Sequence, residues 1–387
     1  VSAFDVAIIG GGLIGGSIAF ELSAENLRVV ILDRQEPGQE ASWAAAGMLS
    51  PGPDSPEAVS LVPLMKESLR IYPEFVAAVE DSSGSSADFA REGTLQILLA
   101  PQGESERDAL FSEYHQLGLP IESLSLDAAR RVEPSLGPGA RAAAYLPNEA
   151  TVNPRSLTAA VIAAVQRRGV EIRKGCAVTS VMRENDRCTG VVAASEKIAA
   201  KHVVVAAGCF SAGIAPTEDW LAQYVPTRPV RGQMVALRPK GINLRHVLRS
   251  ERGYIVPRRD GRVVAGSTLE DAGFDKHVTP AGLQQILSAT IELAPALGDA
   301  EVLETWAGLR PGTPDDLPIL GPTGIEGLLV ATGHYRNGIL LAPITAKLLR
   351  EWITSGKTSF ETEIFSPLRF AREKTRAGAR RSVSTLS

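Results

Sequence analysis

The sequence predicts an α/β fold with an antiparallel-sheet domain interleaved through it. Three observations carry this. The N-terminus reads as strand, glycine turn, helix, strand, acid. Two later blocks, "HVVVAAGCFS" and "GLLVATG", repeat a buried strand running into glycine. The stretches between these blocks hold short strands separated by turn signals.

The opening is "DVAIIGGGLIGGSIAFELSAENLRVVILD". Val6 to Ile9 is a short buried strand, Gly10, Gly12 and Gly15 spell GxGxxG, and Ile14, Ile18, Ala19 and Leu22 fall at helical spacing. Gly10 permits the tight turn, Gly12 lets the backbone approach a pyrophosphate, and Gly15 lets helix and strand pack closely. Leu13 and Ile14 open the helix whose N-terminus faces the phosphates. Val29 to Leu32 is the second strand, and Asp33 follows eighteen residues after Gly15, close to the ~20 expected of a carboxylate that binds ribose hydroxyls. Arg34 sits beside it. The unit is Rossmann-like; the glycine motif by itself fits NAD or FAD, while Asp33 disfavours a 2′-phosphate.

The second block follows a helix begun at Asn153-Pro154 and the strand "CAVTSV". The third precedes "GHYRNGILLAP" and a closing helix. Strands such as "RGQMVALRP", "GYIVPRRDGR" and "VVAGST" fill the interval, and "RRDGR" marks a hairpin whose Arg258, Arg259 and Arg262 read as solvated. The organisation expected is a discontinuous nucleotide-binding domain over 1–86, 148–222 and 306–368, a substrate domain over 87–147 and 223–305, and a basic tail over 369–387. In the tail Arg369, Arg372, Lys374, Arg376, Arg380 and Arg381 stand against Glu373, as a solvated terminus or a contact for an anionic partner.

A chain of 387 residues calls for two or three domains. With 22% charged residues and a net charge of −4, it does not read as a nucleic-acid binder. Cys176, Cys188 and Cys209 form no CxxC pair, so neither a disulfide framework nor a thiolate metal site is expected, and a reducing cytoplasm fits. Val6 to Phe20 is uncharged but holds five glycines and falls short of the ~20 residues of a membrane span. It also lacks the basic leader of a signal peptide.

The stretches "EASWAAAGML", "VRGQ", "GYIVPR", "DGRVVAGST", "WAGLRPGTPDDLPILGP" and "GHYRNGILLAP" resemble the FAD-dependent amine and D-amino-acid oxidases, most closely the glycine oxidases of thiamine biosynthesis. The likeness runs from about Val6 to Phe365. It implies non-covalent FAD, a mixed-sheet substrate domain, oxidation of glycine, sarcosine and small D-amino acids with dioxygen as acceptor, and a homo-oligomer, a tetramer in the family. A dehydrogenase of the same fold that passes electrons to a quinone or carrier remains open. No cysteine follows Cys209, which removes the covalent flavin link that related sarcosine oxidases make in their C-terminal region.

That chemistry needs a grip on the substrate carboxylate, and a bidentate guanidinium suits a dry pocket best. The resemblance places the carboxylate-binding arginine at Arg310 in "WAGLRPG" and a supporting hydroxyl at Tyr254; Leu269 is a possible wall. In "GHYRNGILLAP" a helix N-terminus near Gly338 to Leu340 would direct free N–H groups at the flavin, with Pro343 in the first turn or at a kink. His334, Arg336, Asn337, Gly338, Ile339 and Leu340 are expected near the cofactor, Arg336 also near substrate. The alternative for His334 and Asn337 is capping of the helix. "EASWAAAGML" offers small residues where backbone must press against a flat ring, so Ser42, Ala45, Ala46, Gly47 and Met48 are expected to contact FAD, and Trp43 is either core or contact. Val178 is implied at the adenine, and Ala207 and Gly208 end the strand nearest the cofactor. No metal ligand and no catalytic base stands out.

Overall fold

The computed structural model describes residues 4–53, 55–99, 103–214 and 224–370. The apolar opening run becomes the strand Phe4–Ile9, which pairs in parallel with Val29–Leu32 on one side and Glu196–Val205 on the other. Its near-continuous apolar sequence reflects burial on both faces. Val6 and Ile8 pack with the helices Leu13–Leu22, Val62–Ser83, Pro154–Arg167 and Gly338–Ser355. Ala7 and Ile9 face the hairpin Val178–Glu184 and Arg187–Ala193, which extends from Glu196–Val205. Leu328–Thr332 adds in parallel beyond Glu196–Val205, so the three strand-then-glycine blocks of the sequence lie side by side.

The second sheet runs in the order Glu301–Gly312, Arg228–Arg238, Val263–Gly266, Gly253–Pro257, Val247–Ser250, Thr94–Leu98, Ala142–Leu146, Glu122–Leu124. One pair, Thr94–Leu98 with Val247–Ser250, is parallel, so the sheet is mixed. Helix Pro280–Leu293 covers one face through Ile286 and Leu293, packed on Val235, Leu237, Ile255 and Ala265. The opposite face, with Met234, Val256, Val264 and Trp306, meets Ala44 and Ala46 of the nucleotide-binding part. The boundary drawn at 305/306 falls inside the strand Glu301–Gly312, which pairs with Arg228–Arg238 from end to end; residues 306–312 belong to this sheet.

Arg369 departs from the solvated tail expected of it. It forks onto Asp315 (Nε–Oδ2 2.7 Å, Nη2–Oδ1 3.1 Å) and lies over the Phe370 ring. The other basic residues of the tail lie outside the described residues. Among the described residues no helix is long and apolar enough to cross a membrane.

Candidate functional site

A cavity of about 820 Å³ opens between the C-terminal ends of the parallel strands and the inner face of the mixed sheet. Its volume is in the range of sites that enclose a sizeable ligand. At the nucleotide end it is lined by Gly10, Gly12, Leu13, Ile14, Asp33 and Arg34. Gly15 does not reach it. A Cβ there would run into the Gly10 carbonyl, so Gly15 sets the spacing of helix and strand. The helix Leu13–Leu22 begins with no side-chain cap on Gly12, while the Leu13 N–H is taken by Ser42 Oγ at 2.9 Å. Asp33 accepts from Gly11 N at 2.7 Å and Gln35 N at 2.9 Å, yet burial dominates and raises its pKa. Hydroxyl donors from a ligand would relieve that penalty, since each carboxylate oxygen keeps a free lone pair.

Val178, Ala207 and Gly208 also line this end, with Arg34 lying 3.6 Å over the Phe210 ring. Cys176 and Cys209 face the cavity as well. Burial holds both thiols above their usual pKa, that of Cys209 up to about 12, which keeps them protonated and poorly nucleophilic.

The second helix start on the cavity is Gly338–Ser355, whose N-cap Asn337 makes no side-chain capping bond. Asn337, Gly338 and Ile339 line the cavity, so unsatisfied N–H groups and the positive end of the helix dipole are open to it. Leu340 does not line it. Its carbonyl accepts from Ser68 Oγ at 2.6 Å, and the side chain is in the helical core. Pro343 stands six positions in and cannot donate to Ile339 O; the Tyr72 hydroxyl does so instead, at 3.1 Å. The helix closes at Gly356 in the left-handed conformation, where the sequence places its end. His334 lines the cavity but is 3% exposed, its Nε2 paired with Thr345 Oγ1 at 3.0 Å. Burial pushes its pKa down to about 3, so the ring is neutral. Arg336 lies exposed at the rim.

The mixed sheet forms the far wall. Pairing sets Met234 opposite Gly266, Gly266 opposite Tyr254, Tyr254 opposite Arg249 and Arg249 opposite Gln96, one row on one face. Met234, Tyr254, Arg249 and Gln96 all line the cavity. Arg310 lies in the neighbouring strand with its side chain across Gly232, where a Cβ would occupy the place of Nη1. Its Nη1 donates to Arg231 O (3.3 Å) and Thr268 O (3.2 Å), and Nη2 to Ser267 Oγ (2.7 Å). All three partners are neutral. Of five N–H donors, Nε–H and one on Nη2, the side edge of the guanidinium, are left over. Arg231, by contrast, is clasped by Glu270 and Asp275. Tyr254 turns its hydroxyl to Met234 Sδ at 3.4 Å.

Segment Ala45 to Met48 lies between the two halves of the cavity. The carbonyls of Ala44, Ala46 and Gly47 are each taken by a donor that does not line this cavity: Trp306 Nε1 takes Ala44 O (3.1 Å), Arg258 Nη2 takes Ala46 O (2.5 Å), and Val152 N takes Gly47 O (2.9 Å). Arg258 is therefore not solvated as the hairpin pattern suggested. The turn is there, with Gly261 N bonded to Arg258 O, but the Arg258 side chain runs inward to Ala46 O and Val152 O (3.3 Å), and burial lowers its pKa to about 10. Trp43 packs edge-on to Trp306 under the Arg155 guanidinium, outside the main cavity. Leu269 is 60% exposed and no wall.

Sequence reasoning missed Ser267 and Thr268, which orient Arg310, and the Arg249 network in which Ser50, Gln96, Tyr114 and Glu149 converge. The strand alternation of "GYIVP" carried a signal for one row, but pairing register, which supplies the rest, has no local signature.

The fit to a flavin dinucleotide is good on these grounds: two helix starts open on one cavity with no capping bond from their own N-cap side chains, a carboxylate stands at the ribose distance in sequence, and Gly10 and Gly15 stand where a Cβ would strike backbone. Known proteins agree. The chain is 34% identical to a glycine oxidase of Pseudomonas putida over 94% of its own length and 98% of that protein. A solved glycine oxidase of Geobacillus kaustophilus superposes with a TM-score of 0.87 at 30% identity, covering 95% of this chain and 98% of that one. It is 36% identical to the bifunctional protein ThiO/ThiG of Trichormus variabilis over 95% of its length, and spans about half, 55%, of that longer protein. The model of the DAO family, FAD dependent oxidoreductase, matches residues 5–352, and the chain belongs to that family.

Proposed function

We propose that this chain oxidises glycine, sarcosine and small D-amino acids. In this reading Asp33, Arg34 and Val178 would hold the adenosine end of FAD, and Ala45–Met48 and the N-terminus at Gly338 would hold its ring. Bound there, FAD supplies a two-electron acceptor that dioxygen reoxidises to release hydrogen peroxide. The free side edge of Arg310 takes the substrate carboxylate in two charge-assisted hydrogen bonds, and the Tyr254 hydroxyl turns from Met234 to add a third. Anchored so, an amino acid with a neutral amine would present its Cα hydrogen to the ring; loss of hydride would leave an iminium, which gives up its proton as the imine or is hydrolysed by water to the 2-oxo acid and ammonia, or methylamine from sarcosine. Orientation of this kind removes several kcal/mol of the barrier without a catalytic base. Arg336 screens the mouth, and the neutral His334 adds no competing charge. The helix start at Gly338 favours negative charge beside it.

The observation that carries this reading is a cavity-facing guanidinium paired with three neutral groups and no acid among the described residues. A role in thiamine thiazole synthesis, a cytoplasmic location and a homo-oligomeric state complete the proposal on the family likeness. Anaerobic addition of glycine, sarcosine or D-alanine is expected to bleach the flavin, and air to yield one peroxide per amino acid. No bleaching by any of the three would refute the reading; bleaching without peroxide would assign the electrons to a quinone or carrier.

A further inference from the structure

Arg258 lies outside the cavity, yet it holds part of the cavity wall. It leaves the substrate sheet just after Gly253–Pro257 and bridges two carbonyls of the nucleotide-binding part, Ala46 O and Val152 O. A trans peptide is planar, with its C=O and N–H pointing in opposite directions. Drawing the Ala46 carbonyl outward therefore aims the Gly47 N–H inward, and Ala46 and Gly47 both line the cavity. Trp306 does the same for the Ala45 N–H by holding Ala44 O. Among the described residues no acceptor is paired with the N–H of Ala45, Ala46 or Gly47. Val152 in turn donates to Gly47 O, so Arg258 fixes both ends of one small loop.

We propose that Arg258 is a positioning residue for the flavin: it aims the Gly47 N–H at the ring and places an inward-turned, partly buried positive charge behind that peptide, so that the electron-rich forms of the ring are favoured. The proposal rests on the ring placement given above. It concerns the cofactor's electronics, not the amino acid. A guanidinium suits the task because it bridges two carbonyls in a fixed plane; an ammonium supplies the charge without the bridge. No carboxylate hydrogen-bonds to Arg258 among the described residues, and Asp88, Asp260, Arg262 and Arg155 act on it from further off. Its charge is thus directed at the backbone.

The test uses the FAD-loaded protein with Arg258→Lys and Arg258→Met, and Arg259→Met as control, since Arg259 is exposed and, among the described residues, holds only Phe89 O and Asp88. Three quantities are read without any amino acid: the FAD dissociation constant, the affinity of the oxidised flavin for sulfite, and the two-electron midpoint potential. Arg258→Met is expected to weaken sulfite binding at least tenfold and to lower the potential by about 30 mV or more, the equivalent of tenfold for two electrons. Arg258→Lys should recover part of both, and Arg259→Met should match the parent. Unchanged sulfite affinity and potential in Arg258→Met would overturn the proposal. If that variant does not fold, Arg258→Lys decides, a threefold loss supporting the proposal and parental values overturning it. Loss of FAD from both variants would also overturn it, because Arg258 would then build the cleft and not tune its contents. None of these outcomes depends on glycine being the substrate, so failure here and failure of the glycine reading are separable.

Discussion

Replacing Arg310 separates substrate anchoring from everything else in the site. Two charge-assisted hydrogen bonds from its free edge contribute about 1.5–3 kcal/mol each. Arg310→Met removes both, and the expected loss in kcat/KM for glycine is about 3–6 kcal/mol, roughly 10²–10⁴-fold. Arg310→Lys keeps a charge but offers no planar fork, and its expected loss is roughly 10–10²-fold, from about one such bond. FAD content should not change, because the internal partners of Arg310, at Arg231 in the mixed sheet and at Ser267 and Thr268 just beyond its strand Val263–Gly266, lie away from the nucleotide end.

The assay is anaerobic flavin reduction in stopped flow, with glycine and with a primary amine of similar size that lacks a carboxylate. The carboxylate grip accounts for the effect only if the loss is confined to glycine. Equal losses for both compounds, or a loss below threefold with glycine, would refute the assignment of Arg310 and leave the exposed Arg336 as the anchor.

Three other perturbations follow from the same geometry. Gly232→Ala puts a methyl group where Arg310 Nη1 lies. The guanidinium must move, and KM for glycine is expected to rise at least about tenfold on the loss of one charged hydrogen bond, with FAD affinity unchanged by titration. Tyr72→Phe strands the Ile339 carbonyl that Pro343 cannot serve, and denaturant unfolding should show a loss of about 1–3 kcal/mol; parental stability would mean that the carbonyl finds another donor. His334 has a folded pKa near 3 against an ordinary 6.5, so only the unfolded chain takes up its proton between those values. Its effect on stability is nil above pH 6.5 and grows as pH falls, by about 1.4 kcal/mol per unit and up to about 5 kcal/mol. His202, lowered by burial, adds to the slope. His334→Gln should flatten the decline between pH 6.5 and 4.5, and an unaltered slope would place the titration elsewhere.

The parts of this site legible in the sequence are those built from consecutive residues. GxGxxG followed by a helix, a strand and Asp33 is a local device: the strand, turn and helix form where the spacing puts them, Gly10, Gly12 and Asp33 line the cavity, and Gly15 spaces helix from strand instead of reaching it. The closing helix was legible at both ends for the same reason, through the turn at Gly333 and the stop at Gly356. What makes Pro343 tolerable is not legible, because the donor that replaces its N–H comes from Tyr72, 267 positions from the Ile339 carbonyl it serves.

Arginines show the limit most clearly. Arg231, Arg258 and Arg310 all stand in or just beyond strands of one sheet, and nothing in their flanking residues separates them by pattern alone. The fold delivers Glu270 and Asp275 to the first and two backbone carbonyls to the second, while the third receives neutral groups on three donors and keeps two. A half-buried guanidinium with two donors left over by its own chain is ready to take a bidentate acid. That unfilled edge is why the proposed reading brings the substrate's acid to Arg310, and which arginine keeps such an edge depends on the register between strands that only the folded sheet defines.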